Sequence, residues 1–331
     1  VVASYGRGRL PIVQQGSSCI VISGSHVIVR TVQAVGCTWA GVRIIGKTDV
    51  VERSVMRGNA AGVEIARQSV GARVLGNQLI GNNRMSVLTP EPKNDDSGAF
   101  GVLIRGDRAE VAFNTIVGSD AFSYDFGRDG AAVEIYGGRG SRIHHNLAID
   151  NNAFTELGLR RSSDTLYAYN VVRSSLRTST FLVTRGAGSP LGPVLGTRAS
   201  NNSVVLTGQA SQGFVCTPGC SRAVLRLRNN IIGAFGRVGY VKGSVDEAYD
   251  LFFGGALQFL KGPASNVALP QFVDPAHGDF RLRSSSPAID AGTKAPYAFD
   301  FDMRHVPVDG NGDGKAVRDL GAFEFVPTKK R

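Results

Sequence analysis

GRDGAAVEIYGG, residues 127–138, contains a strand-like core, AAVEI, in which the Glu134 carboxylate stands between two apolar side chains, Val133 and Ile135. The core is not unique. AGVRI lies at 40–44, AGVEI at 61–65, FGVLI at 100–104 and AFTEL at 153–157. Between these cores runs a second kind of segment, short and apolar: VIVRTV, VVERSV, ARVLGNQLIGNN, AEVAFNTIVGSD, SRIHHNLAIDNN and TLYAYNVVRSS. Asn77, Asn114, Asn146 and Asn170 occupy the same place in it. Arg43 and Glu64 are 21 positions apart and Glu134 and Glu156 are 22, a period that predicts repeated coils of short strands and turns.

One such coil cannot bury its apolar side alone and must stack on its neighbours. The expected fold is therefore all-β, a single-stranded parallel solenoid in which Val42, Val63, Val102 and Val133 form one interior file. Asparagines repeated at one turn can bond along the stack and satisfy turn backbone groups, a structural role. His144 and His145 sit beside that file, and strand alternation expects one of them to face inward in a structural role.

Composition agrees. The 331 residues are 42% hydrophobic, enough for a sizeable core, and include 42 glycines; no long run has apolar residues at helical spacing. No stretch approaches the ~18 apolar residues of a membrane span, so no membrane insertion is expected. The 37 Lys and Arg against 27 Asp and Glu give a charge of +10. The arginines are scattered and form no run like a nucleic-acid-binding arm; a solvated surface is the plain reading of that charge and a polyanionic carbohydrate partner the sharper one, and charge alone does not decide between them. The expected partner, on the groove described below, is a polysaccharide or oligosaccharide and not nucleic acid. The pair Cys216 and Cys220 brackets a Pro-Gly turn in CTPGC and predicts a disulfide; Cys19 and Cys37 are a weaker second pair. Disulfides imply an oxidising, extracellular compartment. Val1 opens on strand-like sequence with no charged leader, so any export signal was removed or never existed.

The coil repeat with its asparagine turns resembles the secreted right-handed parallel β-helix proteins, the superfamily of pectate, alginate and chondroitin lyases and polygalacturonase-type hydrolases. No motif of one specific family is present. The resemblance covers residues 1–290, taken as the β-helix, with 291–331 as a capping tail. The stretch FVDPAHGDFRLRSSSPAIDAG…DLGAFEF looks like the closing segment of many bacterial members, and VVASYGRGRLPIV looks like a coil preceding the repeats, which suggests a trimmed N-terminus.

Two coils are long: Glu64 to Leu103 is 39 positions and Leu103 to Glu134 is 31. The extra residues, RMSVLTPEPKNDDSG (84–98) and AFSYDFGRDG (121–130), each precede the recurring strand. Insertions at one place in successive coils emerge on one face and wall a groove. If Val133 and Ile135 point inward, Glu134 points out, and Val21, Arg43, Glu64, Leu103, Glu134 and Glu156 share one outward column with steps of about 4.8 Å.

Stacked like charges repel, so such a column implies a cation or a shared proton. Glu134, Glu156 and Asp129 are the candidate catalytic groups; Glu64, Arg43, Asp95, Asp96, Tyr124, Asp125, Tyr136 and Arg160 are the candidate substrate-binding groups. Paired carboxyls suffice for glycoside hydrolysis without a cofactor. Glu134 and Glu156, about 4.8 Å apart at Cα, suit a retaining pair, and Glu64 and Glu134, about 9.6 Å apart, an inverting one, so the stereochemistry stays open.

The resemblance also implies a lyase scheme, in which calcium binds a substrate uronate and a Lys or Arg takes the C5 proton; Arg43, Lys93, Arg128, Arg160 and Arg161 are the available bases. Hydrolysis ranks first, elimination second, and a noncatalytic glycan-binding solenoid third. Separately, DGNGDG (309–314) opens like a calcium loop, with Asp309, Asn311 and Asp313 as ligands, although its twelfth position is Leu320 instead of Glu.

Overall fold

A computed structural model describes residues 1–4, 6 and 8–327. Each coil contributes three short strands, which stack in parallel on their equivalents one period away. Among the described residues, one ladder of ten strands runs from Val2–Ala3 through Val50–Glu52, Arg73–Leu75 and Arg142–His144 to Asp246–Ala248. A second follows Ile12–Gln14, Gln33–Val35, Val55–Arg57 and Gln78–Ile80 onward. The recurring cores make the third: Ser18–Ile22, Ala40–Ile44, Ala61–Ile65, Phe100–Ile104, Ala131–Tyr136, Ala153–Gly158 and Thr180–Arg185. In the last coils the second and third ladders merge, because Ile231–Gly243 pairs with both Ser203–Leu206 and Gln212–Cys220. The opening residues form a coil of their own, with Val2 opposite Val29 and Ile12 opposite Gln33.

Val42, Val63, Val102 and Val133 lie in register and are fully buried. Their ladder tolerates β-branched side chains because each stands on a pleated surface against an identical neighbour. Between the first and second ladders the asparagine file is continuous. The Asn77 side-chain amide donates to Asn114, Asn114 to Asn146 and Asn146 to Asn170, at 2.9–3.0 Å. The file continues through Asn202 and Asn230 and ends on Asp250. Each Nδ2 also caps a turn carbonyl one coil back, as Asn146 does at Val111. A shorter file, Asn59 to Asn82, serves the next corner of the early coils.

Cys19–Cys37 and Cys216–Cys220 are both disulfide-bonded, with Cα separations of 5.7 and 5.5 Å. The second bridge closes the end of the Gln212–Cys220 strand.

Asn266–Val267 is the last parallel rung. Between it and residue 291, where the sequence placed the start of the tail, lies an antiparallel hairpin, Phe272–Asp274 with Asp279–Leu282. The hairpin and tail lay Phe272, Phe280, Leu282, Leu320 and Phe323 over Val171, Val205, Ile231 and Leu251 on the outer face of the second ladder. They also reach His144 and His145. Ile143 is the residue that enters the core, and His145 adopts a left-handed backbone (φ 53°), so alternation fails there. Both histidines lie outside the coil core and are buried against Tyr297 of the tail.

Candidate active site

The register of the third ladder sets Val21, Arg43, Glu64, Leu103, Glu134 and Glu156 in one file on its outer face, followed by Val183. The file is not uniform. At its early end Glu64 is sealed beneath its partners. The Trp39 indole N–H donates to it at 2.6 Å, and Arg43 and Arg105 approach at 2.9 and 3.5 Å. Trp39, Phe100 and Leu103 make a small apolar floor around it. Leu103 then separates Glu64 from the pair Glu134 and Glu156, which are direct neighbours and half-buried.

The pair is asymmetric. Arg185, from the next coil, forms an ion pair with Glu156, and the Tyr136 hydroxyl donates to the same Oε1 at 3.4 Å. Glu134 has no such donor among the described residues. Burial pushes its carboxyl well above the ordinary range, and the charges of Glu156 and Asp129 push it further, against the opposing pull of Arg185 and Arg105. Asp129 enters from the 121–130 loop and is raised to about 7, first by burial and then by the charge of Glu156. Burial, followed by the charges of Glu156 and Glu134, raises Tyr136, which keeps its hydroxyl proton and remains a donor. Three acidic groups therefore share fewer than three negative charges near neutral pH.

The two insertions are knitted together beside this pair. Asp125 Oδ2 accepts the backbone N–H groups of Asp95 and Asp96, at 2.9 and 3.1 Å. Asp96 Oδ2 in return accepts from Ser123 Oγ, Tyr124 N and Asp125 N, and its Oδ1 from Thr89 N. Despite desolvation, which acts to raise it, those donors hold Asp96 below the usual carboxylate range. Asp125 is lowered too, principally by the Asp96 N–H. Oxygens of Asp95, Asp96 and Asp125 come within 4.8 Å of one another, and Asp125 Oδ1 is buried without a hydrogen-bond partner. This is the donor set in the groove that a hard cation would use. Phe122, Tyr124 and Phe126 project from the second insertion, each about half exposed.

The remaining candidates lie elsewhere. Arg160 donates through Nε to the Gly192 carbonyl at 2.6 Å. In the DGNGDG turn, Asp309, Asn311 and Asp313 accept N–H groups of their own loop, from Gly312, Gly314, Asp313 and Lys315.

Sequence reasoning missed Arg185, Arg105, Trp39, Phe122 and Phe126. Two signals were present. Trp39 is the chain's single tryptophan and directly precedes AGVRI, and Phe122 and Phe126 flank Tyr124 in an insertion already identified.

No protein-family model matches the sequence, and no curated protein matches it. Among solved structures, the fold is similar to that of pectate lyase Pel9A, with a TM-score of 0.50 and 13% identity over 91% of this chain and 73% of that one. It is also similar to XylC, solved in complex with xylose, with a TM-score of 0.52 and 10% identity over 92% of this chain and 60% of that one. At these identities the likeness is one of fold, and the chain has the right-handed parallel β-helix fold that it shares with the pectate lyase.

Proposed function

We propose that this protein is a secreted enzyme that cleaves a polysaccharide by glycoside hydrolysis. The observation that carries the reading is the asymmetric pair: two neighbouring glutamates on one exposed face, one crowded by acids and the other held by Arg185 and Tyr136. Environments that separate two carboxyls in this way assign them an acid and a base role. Glu134, protonated, donates to the glycosidic oxygen as the bond from that oxygen to the anomeric carbon breaks. Glu156 attacks the anomeric carbon or takes the proton of a water that does so. Burial, then the charge of Glu156 and then that of Asp129, maintain the raised proton affinity of Glu134. Phe122, Tyr124 and Phe126 offer exposed ring faces to sugars. The two disulfides suit an extracellular location.

Elimination is the second reading, favoured by the Asp95, Asp96 and Asp125 donor set. Calcium held there would neutralise a substrate uronate and acidify its C5 proton. The scheme needs an arginine or lysine free to accept that proton. Of the five bases named from the sequence, Arg43, Lys93, Arg128 and Arg161 are each ion-paired, the Asp120 bond raises Arg128 still further, and Arg160 donates to the Gly192 carbonyl. That engagement ranks hydrolysis first.

The test is product analysis on neutral and acidic polysaccharides. New reducing ends without absorbance near about 235 nm support hydrolysis; that absorbance, abolished by chelator and restored by calcium, replaces it with elimination. Glycan binding without cleavage of any substrate leaves a noncatalytic solenoid.

A further inference from the structure

Across the third ladder from the acidic insertions, a cavity of about 460 Å³ opens between Arg43, Arg67, Arg105, Arg161 and Tyr136, with Glu64 at its base. The four guanidiniums have only two carboxylate partners among the described residues. Glu64 is shared by Arg43 and Arg105, and Asp107 holds Arg161 at 2.9 Å. Arg67 is exposed and has none among those residues. Tyr136 joins this cavity to the candidate catalytic pair, since its hydroxyl bonds Glu156. The insertions with Asp95, Asp96, Asp125 and Asp129 enter the third ladder at the start of its strands, whereas Arg67, Arg105 and Arg161 follow the ends of theirs. The groove therefore has an acidic wall and a basic wall, with Glu134 and Glu156 between them.

A field of this kind orients whatever lies across it. We propose that the arginine cavity is a subsite for an anionic substituent, a carboxylate or sulfate, on the glycan. A sugar so placed presents its charged group to Arg67 and Arg105 and keeps it from the carboxylates of the other wall, where it would be repelled. Guanidiniums suit both anions because two parallel N–H groups can meet two oxygens at once. The excess charge of the cavity, absent from a groove built for a neutral chain, is the reason to expect an acidic one. This inference rests on the glycan reading of the groove but not on which bond is cut.

The test uses the whole protein and calorimetric titration with oligosaccharides of polygalacturonate, alginate and chondroitin sulfate. The uronates are compared with their carboxyl-reduced forms and the sulfated chain with its desulfated form, so that the two anions are scored separately. At least one charged oligosaccharide should bind about tenfold or more tightly than its neutralised counterpart. Arg67→Gln and Arg105→Gln should each remove most of that preference; on a cleaved substrate, Arg67→Gln should raise KM more than it lowers kcat. Arg198→Gln, an exposed arginine on a different ladder, should leave the preference intact.

Equal binding of charged and neutral forms across the panel overturns the proposal. So does a preference that survives in Arg67→Gln and Arg105→Gln, or one lost equally in Arg198→Gln, which would be the diffuse attraction of a +10 surface. Charged binding through these arginines with no cleavage would refute the hydrolase and leave the subsite standing. Cleavage of neutral chains unaffected by either variant would do the reverse.

Discussion

The ring of Tyr136 lies across Gly158, its partner one coil along the ladder, so closely that a β-carbon at 158 would stand 2.5 Å from the ring Cζ. Gly158 in turn precedes Arg185 in register, because Glu156 pairs with Val183. The missing side chain leaves the space through which Tyr136 reaches Glu156. Gly158→Ala is therefore expected to displace the ring and lower turnover roughly tenfold or more, with a stability loss of about 1–3 kcal/mol from overpacking. Tyr136→Phe should lower turnover without the stability loss. Parent-like kinetics in both variants would separate Tyr136 from the chemistry.

Protonation of Glu134 gives the pH profile its direction. A proton donor is lost as pH rises through its pKa, so kcat/KM should fall on the alkaline side; Asp129 beside it titrates at about 7. Replacing Asp129 by Asn removes one of the negative charges that raise Glu134, and the alkaline limb should move to lower pH. Glu134→Gln should reduce turnover by about 10²–10⁴-fold. The sign for stability is opposite to that for activity. A raised carboxyl contributes stability that is fully present below its unfolded pKa and is lost as pH rises through the folded one, so Glu134→Gln should melt higher than the parent at pH 8. An alkaline limb unmoved by Asp129→Asn would sink the coupling.

Asn146 tests the file that holds the coils in register. Its side chain donates to Val111 O, His144 O and Asn170 Oδ1 and accepts from both the backbone and the amide of Asn114. Asn146→Ala leaves those buried groups unpaired and should cost about 2–5 kcal/mol in denaturant unfolding. Serine, which can restore only part of the set, should recover a fraction. A loss below about 1 kcal/mol would mean that the file is incidental to stability.

The early coils were legible because their signature repeats: alanine or phenylalanine, then a small residue, then valine, a variable outward residue and isoleucine. Glycine serves at the second position because the neighbouring coil approaches closely there; a β-carbon at Gly62 would stand 2.6 Å from the Gly101 carbonyl oxygen. The outward file could thus be listed from Val21 to Glu156. AFTEL already departs from the signature, with Phe154 and Thr155 for the small residue and the valine, and keeps its outward glutamate; the next strand, TFLVTR, carries Val183 in that place. The pattern that would have carried the reading to Arg185 stops there. Burial of Glu64 was hidden for a different reason. Alternation gives the face on which a side chain lies, but the cover over it comes from Trp39 and two arginines in other coils. His145 was misread because alternation presumes extended backbone, which its left-handed φ does not supply.

That histidine is also a probe of how the tail is held. His145 stacks on Tyr169, meets His144 Nδ1 to Nδ1 at 2.9 Å and faces the Phe299 carbonyl at 3.3 Å, while His144 is bonded on its other side to Glu110. Burial, and then the charge of His144, push His145 down to about 4. A histidine depressed in the folded state contributes stability that is complete above its unfolded pKa of about 6.5 and is lost as pH falls toward 4. Asp319 and Glu324, in the same tail, are raised by burial to about 8 and about 7 and act in the opposite sense, losing their contribution as pH rises. A melting curve of the parent alone would mix the two, so the difference between parent and His145→Asn is the quantity to measure. Asparagine tolerates the left-handed backbone at this position and does not titrate. The parent's stability relative to this variant should decline by about 2–3 kcal/mol between pH 8 and pH 4, and hydrogen exchange at residues 297–305 should quicken in the parent over the same interval. A difference that stays constant with pH would show that His145 holds the tail by packing alone.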